Sequence, residues 1–273
     1  MITVVGHIAY DYIFNLDNSH YITYFRKCYG GGGTNIAIGL ASLGKKVQLY
    51  SVAGTDFKKY ENYLKKFELN KRIIKSNKKC ARAYIFNIGK EQKTYFYWGA
   101  SEEMENMKGI KSDILHISPC HPKLAMRMAE KSKFFGFEPG QDLKKFNRRE
   151  LKYIIEKADI IFCNRHEAEI IKEIIKEFIK DKEMIITLGE KGSMIYREKK
   201  KIPSIKVKCI DATGAGDAFK AGFWYGWLEG YDIEKCCKIG TTLASFVIEK
   251  FGAQNFPRYE DFVERYEKNF GKL

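Results

Sequence analysis

The most informative feature of this chain is the stretch Asp211-Ala212-Thr213-Gly214-Ala215-Gly216-Asp217-Ala218-Phe219. It follows the apolar end of a predicted strand that contains Val207, Cys209 and Ile210, and it leads into an apolar, helix-like run over residues 218–228. A glycine-rich turn between a strand and a helix leaves the first backbone N–H groups of the helix without partners. These groups, with the positive end of the helix dipole behind them, predict an anion-binding site.

Asp217 places a carboxylate where an anion should bind. A carboxylate beside an anion hole is useful if it removes a proton from a nucleophile while the amides stabilise the charge that develops. Phosphoryl transfer to a hydroxyl group needs these two components side by side. The alternative is an ordinary strand-to-helix turn in which Asp217 only stabilises the helix dipole.

The composition suits a globular enzyme. The 273 residues are 45% hydrophobic, which is enough to build the core of one large α/β domain over residues 1–273. Lys and Arg outnumber Asp and Glu by 48 to 34, a net charge of +14, which would also suit a nucleic-acid-binding protein. The lysines, however, are interspersed with acidic residues, and no nucleic-acid-binding motif accompanies them. A solvated lysine-rich surface is the favoured interpretation, and nucleic acid is not an expected partner.

The sequence predicts a cytoplasmic protein. Its uncharged stretches are far shorter than the roughly 20 apolar residues of a membrane span, so no membrane partner is expected. Residues 1–8 predict a buried strand and not a signal peptide. Seven scattered cysteines include no Cys-x-x-Cys pair, which argues against a structural zinc site or a disulfide scaffold.

Strand-like and helix-like segments alternate through most of the chain. The predicted strands are residues 2–5, 46–52, 114–118, 134–137, 160–163 and 184–187. The predicted helices are residues 33–43, 149–157, 166–179, 216–228 and 233–251. This alternation is typical of an α/β fold with a mainly parallel sheet that is covered by helices on both faces.

Two segments interrupt the alternation, at about residues 10–16 and 81–99, and both predict strands without intervening helices. In the second, two aromatic-rich runs flank Gly89-Lys90-Glu91, which indicates a β-hairpin. We expect these strands to form an antiparallel lid over the parallel core. A lid matters for phosphoryl transfer because it excludes water from the reaction.

A second motif, Gly30-Gly31-Gly32-Gly33-Thr34-Asn35, precedes the helix predicted at residues 33–43. Consecutive glycines let the backbone approach a ligand, and the Asn35 amide offers a donor and an acceptor that suit a polyol. His7 and Asp11 follow the first predicted strand. Taken singly, these features are equally explained by a flexible turn, a structural histidine and a surface acid.

Two further motifs follow predicted strands, at the strand ends where ligands of parallel sheets bind. In Asn164-Arg165-His166-Glu167, the amide and the carboxylate could orient water around Mg²⁺ and phosphate. The same spacing forms a helix-capping box, and the two roles are compatible. In Thr187-Leu188-Gly189-Glu190-Lys191-Gly192, the glycines suit a backbone that lies along a nucleotide, although an isolated turn explains them as well.

Together and in this order, the motifs resemble those of the ribokinase (PfkB) family of carbohydrate and nucleoside kinases, over residues 2–257. The resemblance implies a ribokinase-like three-layer sandwich with a small antiparallel β lid, and a kinase that uses ATP and Mg²⁺. It implies that Asp217 is the general base and that the amides of Gly214, Ala215 and Gly216 form the anion hole. The lid is also a candidate contact between the subunits of a homodimer.

The resemblance assigns the remaining site residues by position. Those that match acceptor-binding positions are His7, Asp11, Gly31, Gly32 and Asn35. Those that match nucleotide-binding positions are Asn164, Thr187, Gly189, Gly192, Gly252 and Ala253. Glu167 matches a residue that binds Mg²⁺ through water, and Asp211 is a candidate ligand for a monovalent cation such as K⁺.

Several features favour a nucleoside as the acceptor. Residues 6–12 and 137–141 resemble the archaeal and bacterial nucleoside kinases, which usually have Asp where this chain has Glu138. Sugar kinases often have a lysine where Gly32 stands. The lid aromatics could stack on a base, or pack on the lid itself or on a second subunit; they are Tyr84, Phe86, Tyr95, Phe96, Tyr97 and Trp98. The sequence therefore predicts 5′-phosphorylation of a ribonucleoside. The alternatives are a sugar kinase of the ribokinase or fructokinase type and an inactive nucleotide- or nucleic-acid-binding protein.

Overall fold

A computed structural model of the chain describes residues 1–17, 21–89, 91–174 and 182–273. The strands in these residues are β1 (Ile2–Val5), β2 (Ala9–Leu16), β3 (Ile22–Gly30), β4 (Val47–Ala53), β5 (Leu69–Lys75), β6 (Ala81–Ile88), β7 (Glu91–Tyr97), β8 (Ser112–Ile117), β9 (Ser132–Phe137), β10 (Ile160–Asn164), β11 (Glu183–Thr187), β12 (Ser193–Ile195) and β13 (Lys200–Ile202). Nine of them form a central sheet in the order β13-β12-β11-β10-β9-β8-β1-β4-β5. All neighbours from β11 to β5 are parallel, and β12 and β13 add an antiparallel edge. The predicted mainly parallel sheet is confirmed.

The strand order reverses at β1. The chain runs from β1 to β4 and β5 on one side, and later from β8 towards β13 on the other. Strands β1 and β8 pair in parallel from Ile2 opposite Ile114 to Val5 opposite Ile117. In open α/β sheets, ligands bind beyond the carboxyl ends of the strands at such a reversal. The residues just beyond these two strands therefore border the expected site.

Helices cover both faces of the central sheet. They are α1 (Gly32–Ser42), α2 (Lys58–Leu64), α3 (Pro122–Ala129), α4 (Arg148–Lys157), α5 (Arg165–Ile174), α6 (Ala215–Leu228), α7 (Ile233–Val247) and α8 (Tyr259–Phe270). Val4 of β1 belongs to a core with α1, α6 and α7, whereas the adjacent Val5 belongs to a core with α3, α4 and α5. Because successive side chains of a strand point to opposite faces, β1 contributes to both cores. This arrangement is the predicted three-layer sandwich.

A second, four-stranded sheet forms the lid, in the order β3-β2-β6-β7. The β6–β7 hairpin is antiparallel, as predicted, and β2 pairs antiparallel with β3. The two hairpins join through a parallel pairing of β2 with β6, which was not predicted. Strand β3 was not predicted, although it supplies one edge of the lid. Lys90, within the predicted hairpin turn, lies outside the described residues.

The two faces of the lid differ. The inner face contains a small core of Ile13, Ala83 and Ile85, against which Phe96 packs. On the outer face, aromatic rings stack across the strands; the pairs are Tyr12–Tyr84, Phe14–Phe25 and Phe14–Phe86, with centroids 5.0–5.3 Å apart. Among the aromatic residues predicted to stack on a base, Tyr84, Phe86, Tyr95 and Tyr97 therefore point away from the inner face, because they alternate with the inward-facing positions. The alternative expectation, that aromatic rings pack on the lid itself, is confirmed for Tyr84 and Phe86. Stacking of a base on Phe96 or Trp98 stays a prediction.

Most predicted elements agree with the structure to within a few residues, with three qualifications. The strand predicted to contain Val207, Cys209 and Ile210 is wrong, because residues 203–210 form no strand and the side chains of Cys209 and Ile210 are exposed. The helix predicted at 233–251 ends at Val247, and residues 175–179 of the helix predicted at 166–179 lie outside the described residues. The elements that were not predicted are short or have mixed patterns; besides β3 they are α2, α3, α8, β5, β12 and β13. Within the four described ranges, no helix is both long and apolar enough to cross a membrane.

Candidate active site

The turn at residues 211–216 is fixed against the loop that follows α7. The Asp211 carboxylate accepts hydrogen bonds from the Thr213 N–H at 3.0 Å, the Thr213 hydroxyl at 2.7 Å and the Gly252 N–H at 2.8 Å. Gly214 has a φ of 78°, and a side chain there would collide with Ala253. Glycine is therefore required at position 214 by both conformation and space. The structure gives Asp211 the role of joining the two loops, and K⁺ binding by this residue stays a prediction.

Asp217 lies in the first turn of α6, where two groups contact its carboxylate. Oδ2 accepts a hydrogen bond from Asn35 Nδ2 at 2.8 Å, and Oδ1 lies 3.4 Å from Lys220 Nζ. The Asp217 side chain is 18% exposed, so a substrate can reach it although most of it is removed from water. Burial raises the pKa of Asp217, while Lys220 opposes this rise and Glu138 adds to it. A raised pKa makes the ionised carboxylate a better acceptor for the proton of a hydroxyl group.

The residues of the predicted anion hole lie at the start of α6. Gly214 is the N-cap residue, and helix geometry leaves the N–H groups of Gly216 and Asp217 without intrahelical partners. The Ala215 N–H donates instead to the Ala212 carbonyl at 3.2 Å. In this conformation, the backbone N–H groups of Gly214 and Gly216 are available to an anion, whereas the N–H group of Ala215 is used within the turn.

Asp11 is the second buried carboxylate of the site. It is 4% exposed and lies on β2, on the same face of the lid as Ile13. Gly30 of β3 leaves room for it, because a side chain at position 30 would collide with the Asp11 carboxylate. Burial raises the pKa of Asp11 to about 7, and the charges of Asp217 and Asp211 add to the rise. The lid therefore holds a carboxylate within electrostatic range of Asp217.

The glycines at the start of α1 allow close contacts around this space. Gly31 has a φ of 96°, and a side chain there would collide with the His7 carbonyl. A β-carbon on Gly32 would lie 2.7 Å from Ser118 Oγ and 3.5 Å from Asp217 Oδ1. The absence of a side chain at position 32 thus keeps the space beside Asp217 open.

His7 connects the core with the lid. Its ring is fully buried, with Nε2 2.7 Å from Asp142 Oδ2. The ring packs on Phe96 and Trp98, with centroids 4.7 and 5.4 Å apart. Its Nδ1 is buried without a hydrogen-bond partner among the residues that the structure describes. These contacts give His7 a structural role, and acceptor binding by His7 stays a prediction.

Asn164 and Glu167 form a capping box at the junction of β10 and α5. Glu167 accepts hydrogen bonds from the Asn164 N–H at 3.0 Å and from Asn164 Nδ2 at 2.7 Å, and its own N–H donates to Asn164 Oδ1 at 2.9 Å. Burial raises the pKa of Glu167, and Glu138 adds to the rise. The described part of the chain has no cluster of three His, Cys, Asp or Glu side chains that could hold a metal. A single carboxylate still fits Mg²⁺, which is often held by one or two carboxylates together with water and substrate phosphates.

Four of the six predicted nucleotide residues lie at or just beyond neighbouring strand ends, whereas Gly252 and Ala253 lie in the loop after α7. Asn164 of β10 is directly opposite Thr187 of β11. Gly189 has a φ of 60° with open space beside its α-carbon, which leaves its backbone accessible to a ligand. Gly192 has a φ of 86°, and a side chain there would collide with the Ile202 carbonyl. Gly192 is therefore required by the turn between β11 and β12, whether or not it contacts a nucleotide.

Several polar residues of the site were not predicted. Lys220 forms a buried ion pair with Glu138, and Gln254 donates to Asn35 Oδ1 at 2.8 Å. Lys220 did have a signal in the sequence, because it is the single charged residue of the apolar run at 218–228. The partner of His7, Asp142, had none, since 135 positions separate the two residues.

The family model for pfkB family carbohydrate kinases matches residues 1–259 of this chain. The chain belongs to this family. It is a phosphotransferase whose acceptor is an alcohol group, and the predicted family resemblance is confirmed. Binding of ATP and Mg²⁺ is expected of pfkB kinases.

Two pfkB-type relatives resemble the chain over almost its whole length. A nucleoside kinase of Methanocaldococcus jannaschii is 40% identical over 293 aligned positions, covering 98% of this chain and 97% of the relative. The crystal structure of the M. jannaschii nucleoside kinase has a TM-score of 0.88 at 38% identity and covers 98% of both chains. A Burkholderia thailandensis nucleoside kinase in complex with inosine has a TM-score of 0.89 at 26% identity and covers 99% of both chains. The same protein in complex with ADP-inosine has a TM-score of 0.88 and covers 99% of this chain and 96% of that chain.

Proposed function

We propose that this pfkB-family kinase transfers the γ-phosphoryl group of ATP to the 5′-hydroxyl of a ribonucleoside in a Mg²⁺-dependent reaction. The observation that carries the proposal is the Asp217 carboxylate at the start of α6, hydrogen-bonded by Asn35 and within electrostatic range of Asp11. A nucleoside acceptor is supported by the two relatives, both nucleoside kinases, one of which was solved with inosine and with ADP-inosine.

Asp217 acts as the general base in this proposal. It removes the proton of the acceptor hydroxyl as the new bond to phosphorus forms, and the Asn35 amide keeps the carboxylate in one orientation. The N–H groups at the start of α6, Gly216 among them, stabilise the negative charge on the transferring group.

Asp11 accepts hydrogen bonds from the ribose hydroxyls. Because the pKa of Asp11 is about 7 in the free chain, hydroxyl donors that bind it favour the ionised form. Phe96, on the inner face of the lid, offers a ring to the base. Gly31 and Gly32 allow the acceptor to approach the backbone of α1.

The donor side is formed by the ends of β10 and β11 and by the loop at Gly252 and Ala253. Thr187 and Gly189 line the nucleotide, and Glu167 holds Mg²⁺ through water. When bound, Mg²⁺ neutralises charge on the phosphate oxygens. K⁺ near Asp211 is the corresponding proposal for a monovalent cation.

The proposal also includes the domain organisation, the contact between two copies and the cytoplasmic location of the protein. The chain acts as one kinase domain over residues 1–273, and the aromatic outer face of the lid contacts the lid of a second copy. Phe25 and Tyr95 on that face are 53% and 63% exposed. The seven cysteines are unpaired, which suits the reducing cytoplasm, where ATP is available.

An ADP-release assay with MgATP tests the proposal, with adenosine, inosine, guanosine, cytidine, ribose and fructose as acceptors. We expect turnover with at least one nucleoside and much slower turnover with free sugars. Asp217→Asn should keep the fold and lower kcat by at least ~10²-fold, as is usual for loss of a general base. Asp113→Asn is the matched control, because Asp113 is 77% exposed and pairs with the surface residue Lys133.

Each other outcome contradicts a stated part of the proposal. Turnover with sugars alone would establish the ribokinase- or fructokinase-type alternative. Silence with every acceptor, together with salt-sensitive binding to RNA or DNA, would favour the inactive binding protein. Near-full turnover by Asp217→Asn would remove Asp217 from the role of base.

A further inference from the structure

Lys220 is a buried charge in an apolar helix. Every other residue in the run 218–228 is uncharged, and the Lys220 side chain is only 6% exposed. Lysine is rarely buried to this extent without a partner, because an ammonium group loses much of its hydration. Its position three residues after Asp217 puts it on the same face of α6, beside the proposed base.

Two carboxylates hold the Lys220 ammonium group. It forms an ion pair with Glu138 Oε1 and lies 3.4 Å from Asp217 Oδ1. Burial acts to lower the pKa of Lys220, but Glu138 and Asp217 outweigh burial and raise it, so Lys220 is charged. Burial likewise opposes the charge of Glu138, and Lys220 and His116 outweigh it and lower the pKa of Glu138.

The ring of His116 lies near Glu138, although neither Glu138 Oε2 nor His116 Nε2 has a hydrogen-bond partner among the described residues. Glu138 Oε2 lies 3.8 Å from His116 Nε2, and His116 Nδ1 accepts a hydrogen bond from Trp224 Nε1 at 3.0 Å. Since Nδ1 is an acceptor, the neutral ring carries its proton on Nε2, which faces Glu138. Burial lowers the pKa of His116, in keeping with this neutral form. Lys220, which contacts Glu138, and Trp224, which contacts His116, both belong to α6.

We propose that Lys220 and Glu138 are positioning residues for phosphoryl transfer: Lys220 orients the Asp217 carboxylate and keeps it ionised, and Glu138 limits this effect by sharing the ammonium group. The inference rests on the proposed function, because it assigns Asp217 the role of base. Without Glu138, Lys220 would pair fully with Asp217 and make it a weaker base. Without Lys220, the carboxylates of Glu138 and Asp217 would face each other without an intervening cation.

The groups that face Asp217 come from five elements. Lys220 lies on α6 itself, Asn35 on α1 and Asp11 on β2. Glu138 follows β9, and the neutral His116 is on β8. Asp11 has a pKa of about 7 and would add its own titration to the free enzyme. The pH dependence is therefore measured in the ternary complex, where the acceptor occupies Asp11.

The experiment is the pH profile of the single-turnover rate at saturating MgATP and acceptor, from about pH 5 to pH 9. The acid limb of this profile is the fall in rate at low pH, where Asp217 becomes protonated. Lys220→Met removes the cation beside Asp217 and should move the acid limb to higher pH by about 1–3 units. Glu138→Gln removes the like charge and should move the limb to lower pH. Lys220→Arg keeps the charge and should keep the limb of the wild type.

A double variant covers the case in which Lys220→Met does not fold. Lys220→Met/Glu138→Gln removes both charges of the ion pair and leaves Asp217 its hydrogen bond from Asn35. The acid limb of this variant should lie above that of the wild type, because Lys220 affects the pKa of Asp217 more than Glu138 does. Lys238→Met is the matched control, since Lys238 pairs with Glu234 on α7 at 2.8 Å, away from the site. It should leave both rate and limb unchanged.

A purely structural role would give a different result. If Lys220→Met or the double variant lowers the rate by the same factor at every pH, the inference is overturned. If Glu138→Gln moves the limb upward, its part of the proposal is overturned. Failure of the proposed function is distinguishable, because then the wild type phosphorylates no nucleoside or Asp217→Asn keeps its turnover.

Discussion

Replacement of Asp11 by Asn should stabilise the free protein in a pH-dependent way. Asp11 is 4% exposed, and burial together with Asp217 and Asp211 raises its pKa from 3.8 to about 7. A group whose pKa is higher in the folded state binds its proton more tightly there. Below pH 3.8 the Asp11 carboxyl is protonated in both the folded and the unfolded chain, so it costs no stability. Between pH 3.8 and about 7 the unfolded chain releases the proton more readily than the folded chain does, so the free energy of unfolding falls as the pH rises.

The size of this loss follows from the shift. One pKa unit corresponds to about 1.4 kcal/mol, so ionised Asp11 lowers the free energy of unfolding by at most about 4 kcal/mol above pH 7. At pH 5 the loss is less than half as large, because the folded protein keeps the proton on Asp11. The gain in stability of Asp11→Asn over the wild type should therefore be larger at pH 8 than at pH 5 by up to about 3 kcal/mol.

Urea unfolding of both proteins at the two pH values, without ligands, measures this difference. The comparison across pH cancels any constant effect of the buried Asn amide. Asp113→Asn is the control, because exposed Asp113 should give no measurable difference between the two pH values. An equal effect of Asp11→Asn at pH 5 and pH 8 would show that the Asp11 carboxylate is not destabilised in the free chain, and would refute the reasoning.

Two further variants test the turn and the lid. Gly214→Ala should lower the free energy of unfolding by more than Gly230→Ala does. Both glycines have a positive φ, which costs alanine of the order of 1–3 kcal/mol, but only a side chain at position 214 collides with a neighbour, Ala253. Equal losses of stability in thermal melting would contradict the role of the Ala253 contact. Phe96→Ala should raise the KM of a nucleoside by about 5- to 150-fold, the equivalent of one lost stacking contact, whereas Tyr84→Ala on the outer face should leave KM unchanged. A larger effect of Tyr84→Ala would mean that the base lies elsewhere.

Features that depend on neighbouring residues were predictable. The turn at 211–216 could be predicted because its glycine spacing and the apolar run after it are contiguous, although the strand predicted before it is absent. The capping box of Asn164 and Glu167 was likewise visible from a spacing of three, and the structure contains it. Strand β3 was missed, although Tyr24 and Phe25 give it β propensity, because its pairing with β2 is what makes it an element of the lid.

The polar network around the base was beyond prediction for a different reason. Lys220 was noticeable as a lone charge, but nothing local indicated that Glu138 is its partner, 82 positions away. Gln254 and Asn35 are 219 positions apart, and their hydrogen bond exists only because the loop after α7 returns to α1. The lid faces were also undecided, because alternation along a strand defines two faces but does not say which one covers the site.

The residue pattern alone was enough to predict the alternation of most core strands and helices, the glycine-rich turn before α6 and Asp217 as the candidate base. These follow from backbone geometry and side-chain periodicity, which act over a few residues. The tertiary structure decided which groups control that base. Asn35 donates a hydrogen bond to Asp217, which is 182 positions away in the sequence. The Lys220 ammonium group lies between the carboxylates of Glu138 and Asp217. Charge interactions and desolvation depend on distances between elements, and only the packing of α1, α6 and the central sheet fixes those distances.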